Sequence, residues 1–103
     1  MNINTISRKE FDGFKPLRHP EAELRFEETE WFADEEGIVI GVLARDRADD
    51  DWAYAVLGRD EQGTFRAFEN DASIVRRDDA RHQLISTMKR AVFAGAKIFP
   101  QGD

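Results

Sequence analysis

Two short motifs of the same form, Asp-Glu-x-Gly, constrain the fold of this chain more than any other feature. They occupy positions 34–37 and 60–63, and each lies between apolar runs rich in β-forming residues. Asp favours the first position of a type I turn, and Gly supplies the positive φ that is needed where the chain re-enters a β-ladder. The repeated motif therefore predicts two β-hairpins and, with them, an antiparallel sheet.

Four strands follow from these turns, at 28–33, 38–45, 52–59 and 64–69. In the second strand both alternating sets of side chains are largely apolar, which is typical of a central strand. A bend is expected at 70–71, and the last strand continues briefly at 73–76. The sequence thus predicts a four-stranded antiparallel meander over 27–76.

A C-terminal helix is predicted over 78–95. Asp78 and Asp79 suit its first turn, where carboxylates accept backbone N–H groups and favour the helix dipole. Gly95 suits a left-handed C-cap. One face of the helix is apolar and is formed by Leu84, Ile85, Met88, Ala91 and Val92. We expect that face to pack on one side of the sheet.

An N-terminal arm is expected over 1–26. Ser7 and Glu10 have the spacing of a capping box, and Gly13 limits the helix that they begin to about one turn. The remainder of the arm is either a further helical turn or irregular chain. The sequence therefore predicts a single α+β domain over 1–103, made of the arm, the meander and the C-terminal helix.

The net charge of −6 is unevenly distributed along the chain. Residues 21–51 include twelve acidic and three basic residues, whereas residues 76–97 include six basic and two acidic residues. An acidic surface repels nucleic acid and anionic membranes. It either keeps a small domain soluble or attracts a basic partner.

Several function classes are excluded or disfavoured by residues that the chain lacks. It has no Cys, so disulfides and thiolate chemistry are excluded. No apolar run approaches the ~18 residues of a membrane span, and no secretory signal is visible at 1–18. These features predict a soluble cytoplasmic protein that does not insert into a membrane.

Catalytic and metal-binding motifs are not recognisable either. His19 and His82 are far apart and lack the spacing of a metal site. The acidic run at 46–51 lacks the alternation and the Gly of an EF-hand loop. No Ser lies in a nucleophile motif, and no Gly-rich phosphate loop is present. The prediction is a protein that is not an enzyme and that has no metal or cofactor.

Two surfaces are candidates for binding a macromolecule. Aromatic residues flanked by acids are typical of a protein interface, because the aromatic side chains anchor and the acids steer association. The residues predicted to act in this way are Asp49, Asp50, Asp51, Trp52 and Tyr54. The alternative surface is a basic face on the C-terminal helix, formed by Arg76, Arg77, Arg81, Lys89 and Arg90. Ordinary solvation of a helix also explains that second set.

One helix covers only one face of a four-stranded sheet, so the other face needs a second cover. Alternation places Trp52, Tyr54 and Val56 on one face of the third strand, and Ala53 and Leu57 on the other. The exposed face either forms a dimer interface or is covered by the arm. The arm residues available for this are Phe11, Phe14, Leu17, Leu24 and Phe26. Both possibilities remain open at this point.

Three stretches of the chain resemble a family of small, uncharacterised bacterial proteins. They are EWFADEEG at 30–37, RDRADDDW at 45–52 and VLGRDEQGTFR at 56–66, and the likeness extends to the ending FPQGD. The resemblance implies a bacterial, cytoplasmic protein. It implies no activity, cofactor or site residue.

Taken together, these features predict a non-enzymatic protein–protein interaction module. It would bind a basic protein or a second copy of itself. A more specific version of this prediction is that its acidic surface mimics nucleic acid. The alternative is a nucleic-acid-associated accessory protein that uses the basic helix face.

Overall fold

The computed structural model describes residues 2–94, which form an α+β domain with a C-terminal helix. The elements in chain order are β1 (Ile3–Ile6), α1 (Arg8–Gly13), α2 (Pro20–Arg25), β2 (Phe26–Asp34), β3 (Val39–Asp46), β4 (Trp52–Arg59), β5 (Phe65–Ile74) and α3 (Arg77–Ala94). All neighbouring strands are antiparallel, and their order in the sheet is their order in the chain. The predicted antiparallel meander and C-terminal helix are confirmed.

Both predicted hairpin turns are present, and an aspartate side chain organises each of them. Asp34 accepts hydrogen bonds from the backbone N–H groups of residues 36, 38 and 39, at 3.2, 2.7 and 2.7 Å. Asp60 accepts from the N–H groups of residues 62 and 64, both at 2.9 Å. Gly37 and Gly63 have positive φ values of 67° and 82°. The sequence motif therefore forms the same turn twice, because Asp satisfies the turn amides and Gly tolerates the left-handed backbone.

The helix α3 covers one face of the sheet. Leu84, Met88 and Ala91 are fully buried there, against Leu43 and Val56. The side chains of Leu84 and Met88 also pack directly on the backbone of Gly41 in β3. Burial of this apolar stripe is the main stabilising contribution of the helix, at ~25 cal/mol per Å² of apolar surface removed from water.

The opposite face is covered by α1. We call α1, together with the strand β1 that precedes it and Phe14 that follows it, the lid (residues 2–14). Phe11 of α1 is 1% exposed and packs in a second core cluster with Ile40, Leu57 and Phe65. The ring of Phe14 meets Phe65 edge to face, with centroids 5.3 Å apart. The arm therefore does cover the second sheet face within the part of the chain that the structure describes.

Two of the residues expected to anchor the arm do not do so. Leu17 is 76% exposed and Leu24 is 79% exposed. Leu17 lies in the segment that joins α1 to α2, and Leu24 lies on α2, which has no buried residue. Sequence pattern did not separate these leucines from Phe11, because hydrophobicity alone does not show which side of a short element meets the sheet.

The sheet has five strands rather than the predicted four. The fifth, β1, pairs with β2 at the edge, with Ile3 opposite Asp34 and Ile6 opposite Trp31. It is only four residues long and no turn motif precedes it, so periodicity could not reveal it. The arm contains this strand as well as two helices, α1 with its predicted capping box and α2 beginning at Pro20.

The last strand also differs from the prediction. A single strand, β5, replaces the predicted strand, bend and short continuation. It absorbs the extra residues as two bulges opposite β4, and Ser73 adopts a positive φ of 60° at one of them. The helix α3 begins one residue before the predicted 78–95. The expected C-cap at Gly95 and the ending FPQGD lie outside the described residues.

Candidate functional site

The predicted partner-binding residues are divided between the surface and the core. Asp49 and Asp50 are exposed on the connector between β3 and β4. Asp50 is already paired with the guanidinium of Arg45, which also lies 3.5 Å from Glu27. The backbone carbonyl of Asp51 accepts the N–H of Asp46 at 2.7 Å and closes the connector. Of the three predicted aspartates, Asp50 is therefore compensated by a neighbouring arginine.

The two aromatic residues predicted as anchors point towards α3. Tyr54 is 6% exposed and belongs to the core beneath the helix. Trp52 is half-buried beside it, and the guanidinium of Arg77 lies 5.9 Å from the centre of its ring. Alternation along β4 places both side chains on the face that α3 covers, so Tyr54 is not presented to a partner in this fold.

The predicted basic face is divided between the two flanks of α3. Arg77 and Arg81 form ion pairs with Glu30 of β2, the second with an N–O distance of 3.2 Å. Arg90 pairs with Glu69 of β5 at 2.9 Å. Nine residues at about 100° each place Arg81 and Arg90 on opposite sides of a helix. Three of the five predicted basic residues thus tie α3 to the sheet.

The two remaining basic residues, Arg76 and Lys89, are exposed. Neither has an acidic partner within residues 2–94. A basic surface needs several uncompensated cations close together to attract a phosphate backbone. Here there are two, Lys89 on α3 and Arg76 just before it, thirteen positions apart in sequence.

An open groove of about 450 Å³ lies at the other end of the sheet, between α1 and the turn that joins β2 to β3. We call it the acidic groove. Its lining comprises Ile6, Glu10, Phe14, Ala33, Asp34, Glu35, Glu36 and Gly37. The apolar members of this set belong to the second core cluster or pack against it. The groove therefore combines an apolar floor with four carboxylates.

Local sequence explains how each wall of the groove is built. On one wall, the capping box of Ser7 and Glu10 starts α1, with Glu10 N–H donating to Ser7 Oγ at 3.1 Å. On the other wall, Asp34 holds the turn through its three backbone hydrogen bonds. The two walls meet where Phe14 approaches Gly37, because a Cβ on Gly37 would lie 3.2 Å from the ring of Phe14.

The carboxylates of the acidic groove lack basic counterparts. Within residues 2–94, no Lys, Arg or His forms an ion pair with Glu10, Asp34, Glu35 or Glu36. Glu10 and Asp34 accept hydrogen bonds only from neutral groups, and Glu35 and Glu36 are exposed at the rim. Four neighbouring acids that are not paired with a described cation produce a local negative potential, which attracts a cationic group.

The acids with clearly perturbed pKa values lie outside the groove and serve the fold. The backbone N–H of Ala48 and then Arg25 lower the pKa of Asp46, and the backbone N–H of Thr64 and then Arg66 lower that of Asp60. Burial opposes ionisation of Glu28, but hydrogen bonds from Arg18 and Trp31 outweigh it together and lower the pKa of Glu28. Arg90 lowers the pKa of Glu69. These groups are ionised and internally satisfied.

Sequence reasoning recognised the acidic stretch but not the groove. Glu35 and Glu36 were visible as part of a turn, and Phe14 as an arm residue, yet nothing in the sequence places them side by side. A usable signal was the position of both acids at a hairpin tip, where side chains are exposed and close to whatever covers the adjacent sheet face.

The fold and the groove define an α+β domain with an acidic, apolar-floored surface groove. No family model, curated protein or solved structure matches the chain. In the described range, no three His, Asp or Glu side chains are grouped so as to hold a metal ion. Across residues 2–94, no helix has both the length and the apolar character needed to cross a membrane.

Proposed function

We propose that this chain is a non-enzymatic protein-binding module, and that the acidic groove receives a basic side chain of a protein partner. The observation that carries the proposal is an apolar floor surrounded by four carboxylates that form no ion pair with any residue of the described range 2–94. A lysine or arginine side chain matches both features, because its charged head suits the rim and its aliphatic stem suits the floor.

The groove is a better candidate than the acidic connector between β3 and β4. On the connector, Asp50 is paired with Arg45, and Asp46 is paired with Arg25 at 2.8 Å. A partner's cation that approached those acids would compete with arginines that are already in place. In the groove it would meet carboxylates whose only described partners are neutral donors, so more of the attraction remains available for binding.

Self-association through an open sheet face has less support than binding of a different protein. Phe11 and Phe14 occupy the face that such a dimer would use. The nucleic-acid alternative stays a prediction, and the ion pairs of Arg77, Arg81 and Arg90 with the sheet weigh against it.

Affinity capture with charge-reversed variants tests the proposal. The tagged protein is used to isolate partners from its host lysate, with and without nuclease, and a partner that survives nuclease is purified for titration. Glu35→Lys together with Glu36→Lys should weaken its binding about fivefold to thirtyfold, since each reversed surface charge contributes about 0.5–1 kcal/mol.

The matched control is Glu21→Lys together with Glu23→Lys. It makes the same change in net charge on α2, at the opposite end of the sheet. Equal loss of binding in both variants would show that only overall charge matters and would contradict the proposal. Capture that depends on nucleic acid, or no capture at all, would contradict it as well.

A further inference from the structure

The acidic groove is assembled from two separate segments of the chain. Ile6, Glu10 and Phe14 come from the lid, whereas the remaining lining residues come from the end of β2 and its turn. If the lid leaves the sheet, one wall and part of the floor leave with it. Any ligand of the groove therefore binds the form of the protein in which the lid is docked.

The attachment of the lid is small compared with that of α3. Its strand, β1, has four residues and lies at the edge of the described sheet, where it pairs with β2. Its helix, α1, has six residues, of which only Phe11 is buried. A segment that is held by one short edge strand and one fully buried side chain opens more readily than the core of a domain.

In addition to the pairing of β1 with β2 and the burial of Phe11, the side chain of Arg18 links the lid to the sheet. Its guanidinium makes two hydrogen bonds with Glu28 of β2, at 2.8 and 2.9 Å, and one ion pair with Asp12 of α1, at 2.8 Å. It also lies 5.2 Å from the centre of the Phe11 ring. Glu28 is fixed in turn by Trp31, whose Nε1 donates to it at 2.9 Å. We call Arg18, Asp12 and Glu28 the clasp.

The clasp is stronger than an ordinary surface ion pair. The side chains of Arg18 and Glu28 are only 21% and 18% exposed. Fork-shaped pairing of a guanidinium with a carboxylate is among the strongest side-chain interactions, and loss of one partner leaves a partly buried charge without compensation. The segment between α1 and α2 that bears Arg18 also contains Lys15, which has a positive φ of 55°, and Pro16.

We infer that the lid is a movable wall of the acidic groove, and that the clasp sets the affinity of the groove by setting the fraction of molecules in which the lid is docked. This inference rests on the function proposed above. Arg18 acts as a positioning residue, since it does not line the groove. Apparent affinity falls in proportion to the docked fraction when only the docked form binds.

The test compares Arg18→Gln with Arg18→Gln combined with Gly13→Ala. Gly13 ends α1 and a methyl group there would meet nothing within 4 Å, so alanine favours the helix without touching the clasp or the groove. Amide hydrogen exchange in β1 and α1 measures the docked fraction. Trp31 fluorescence, read in a Trp52→Phe background, gives a second measure because Trp31 contacts Glu28.

Binding is measured with one defined probe, an acetylated Arg-Leu-Arg-Leu amide peptide. Arg18→Gln should lower protection of the lid amides and should weaken peptide binding in proportion to the loss of the docked state. Adding Gly13→Ala to Arg18→Gln should raise both the protection of the lid amides and the affinity for the peptide by about twofold to fivefold. This is the amount expected from a Gly-to-Ala change in a helix. A merely structural role of Arg18 would not make exchange and affinity recover together.

The outcomes separate this inference from the proposed function. If the unaltered protein does not bind the peptide although its lid amides are protected, the proposed function fails, and the coupling fails with it. If the unaltered protein binds but Arg18→Gln leaves the lid docked, the clasp is overturned. If Arg18→Gln undocks the lid in more than half of the molecules without weakening binding, the coupling is overturned.

Discussion

The Sδ atom of Met88 lies 2.7 Å from the point that a Cβ atom would occupy on Gly41. Carbon and sulfur atoms that are not bonded to each other do not approach so closely, so the backbone of β3 at this position accepts α3 only because Gly has no side chain. Leu84 is nearly as close, at 3.3 Å. This contact sets the distance between the helix and the sheet at the centre of the larger core cluster.

Gly41→Ala should therefore destabilise the protein, by about 1–3 kcal/mol, because the added methyl group overpacks a core that is already full. Urea denaturation measures the free energy of unfolding. Gly13→Ala is the control, since open space surrounds that position and the change should be neutral or stabilising. Equal stability of the two variants would mean that α3 does not pack on Gly41.

The two turn glycines should differ in their tolerance of alanine. Both have a positive φ, so each Gly→Ala substitution should cost about 1 kcal/mol of backbone strain. Gly37→Ala should cost more than Gly63→Ala, because its methyl group would lie 3.2 Å from the Phe14 ring, whereas nothing lies within 4 Å at Gly63. The difference in the midpoint of thermal unfolding measures the contact between the lid and the turn, and no difference would contradict it.

Stability should fall as the solution becomes acidic. The pKa values of Asp46, Asp60, Glu28 and Glu69 are lowered in the folded protein. In the unfolded chain the pKa of these side chains is about 4. A carboxyl group whose pKa is lower in the folded protein stabilises the fold at pH values above the unfolded-state pKa. That stabilisation is lost as the pH falls through the folded-state pKa. Urea denaturation between pH 7 and pH 2 should show the decline below about pH 4.

A variant identifies one source of this pH dependence. Asp60→Asn keeps an oxygen for the turn amides of residues 62 and 64 but removes the carboxylate. The change in stability between pH 7 and pH 2 should be smaller in this variant than in the unaltered protein. An unchanged pH profile would show that Asp60 contributes nothing to the acid sensitivity.

Release of the paired arginines should leave uncompensated cations on both flanks of α3. Glu30→Gln with Glu69→Gln removes the carboxylates that hold Arg77, Arg81 and Arg90. We expect this double variant to bind duplex DNA at low salt more tightly than the unaltered protein, with a steep decrease as salt is added. An electrophoretic mobility shift assay measures both the affinity for DNA and its dependence on salt concentration. Tight binding by the unaltered protein would instead support the nucleic-acid alternative.

Several parts of the fold could be read from local pattern because short-range chemistry decides them. The turns at Asp34 and Asp60 depend on residues within five positions, and the capping box of Ser7 and Glu10 depends on three. The buried stripe of α3 was visible for the same reason, since Leu84, Met88 and Ala91 follow the helical period. The strand β1 was missed because four residues carry no period that differs from chance.

The sequence by itself determined where the chain turns, which residues alternate on each strand and which side of the last helix is apolar, because these features depend on near neighbours. Only the tertiary structure decided which face of the sheet is covered by α3 and which is covered by α1. Both faces of β3 are apolar, so its pattern did not distinguish the face under α3 from the face under Phe11. Packing of distant segments likewise decided the pairing of Arg81 with Glu30, 51 positions away, and the presence of both Glu10 and Glu36 in the lining of the acidic groove.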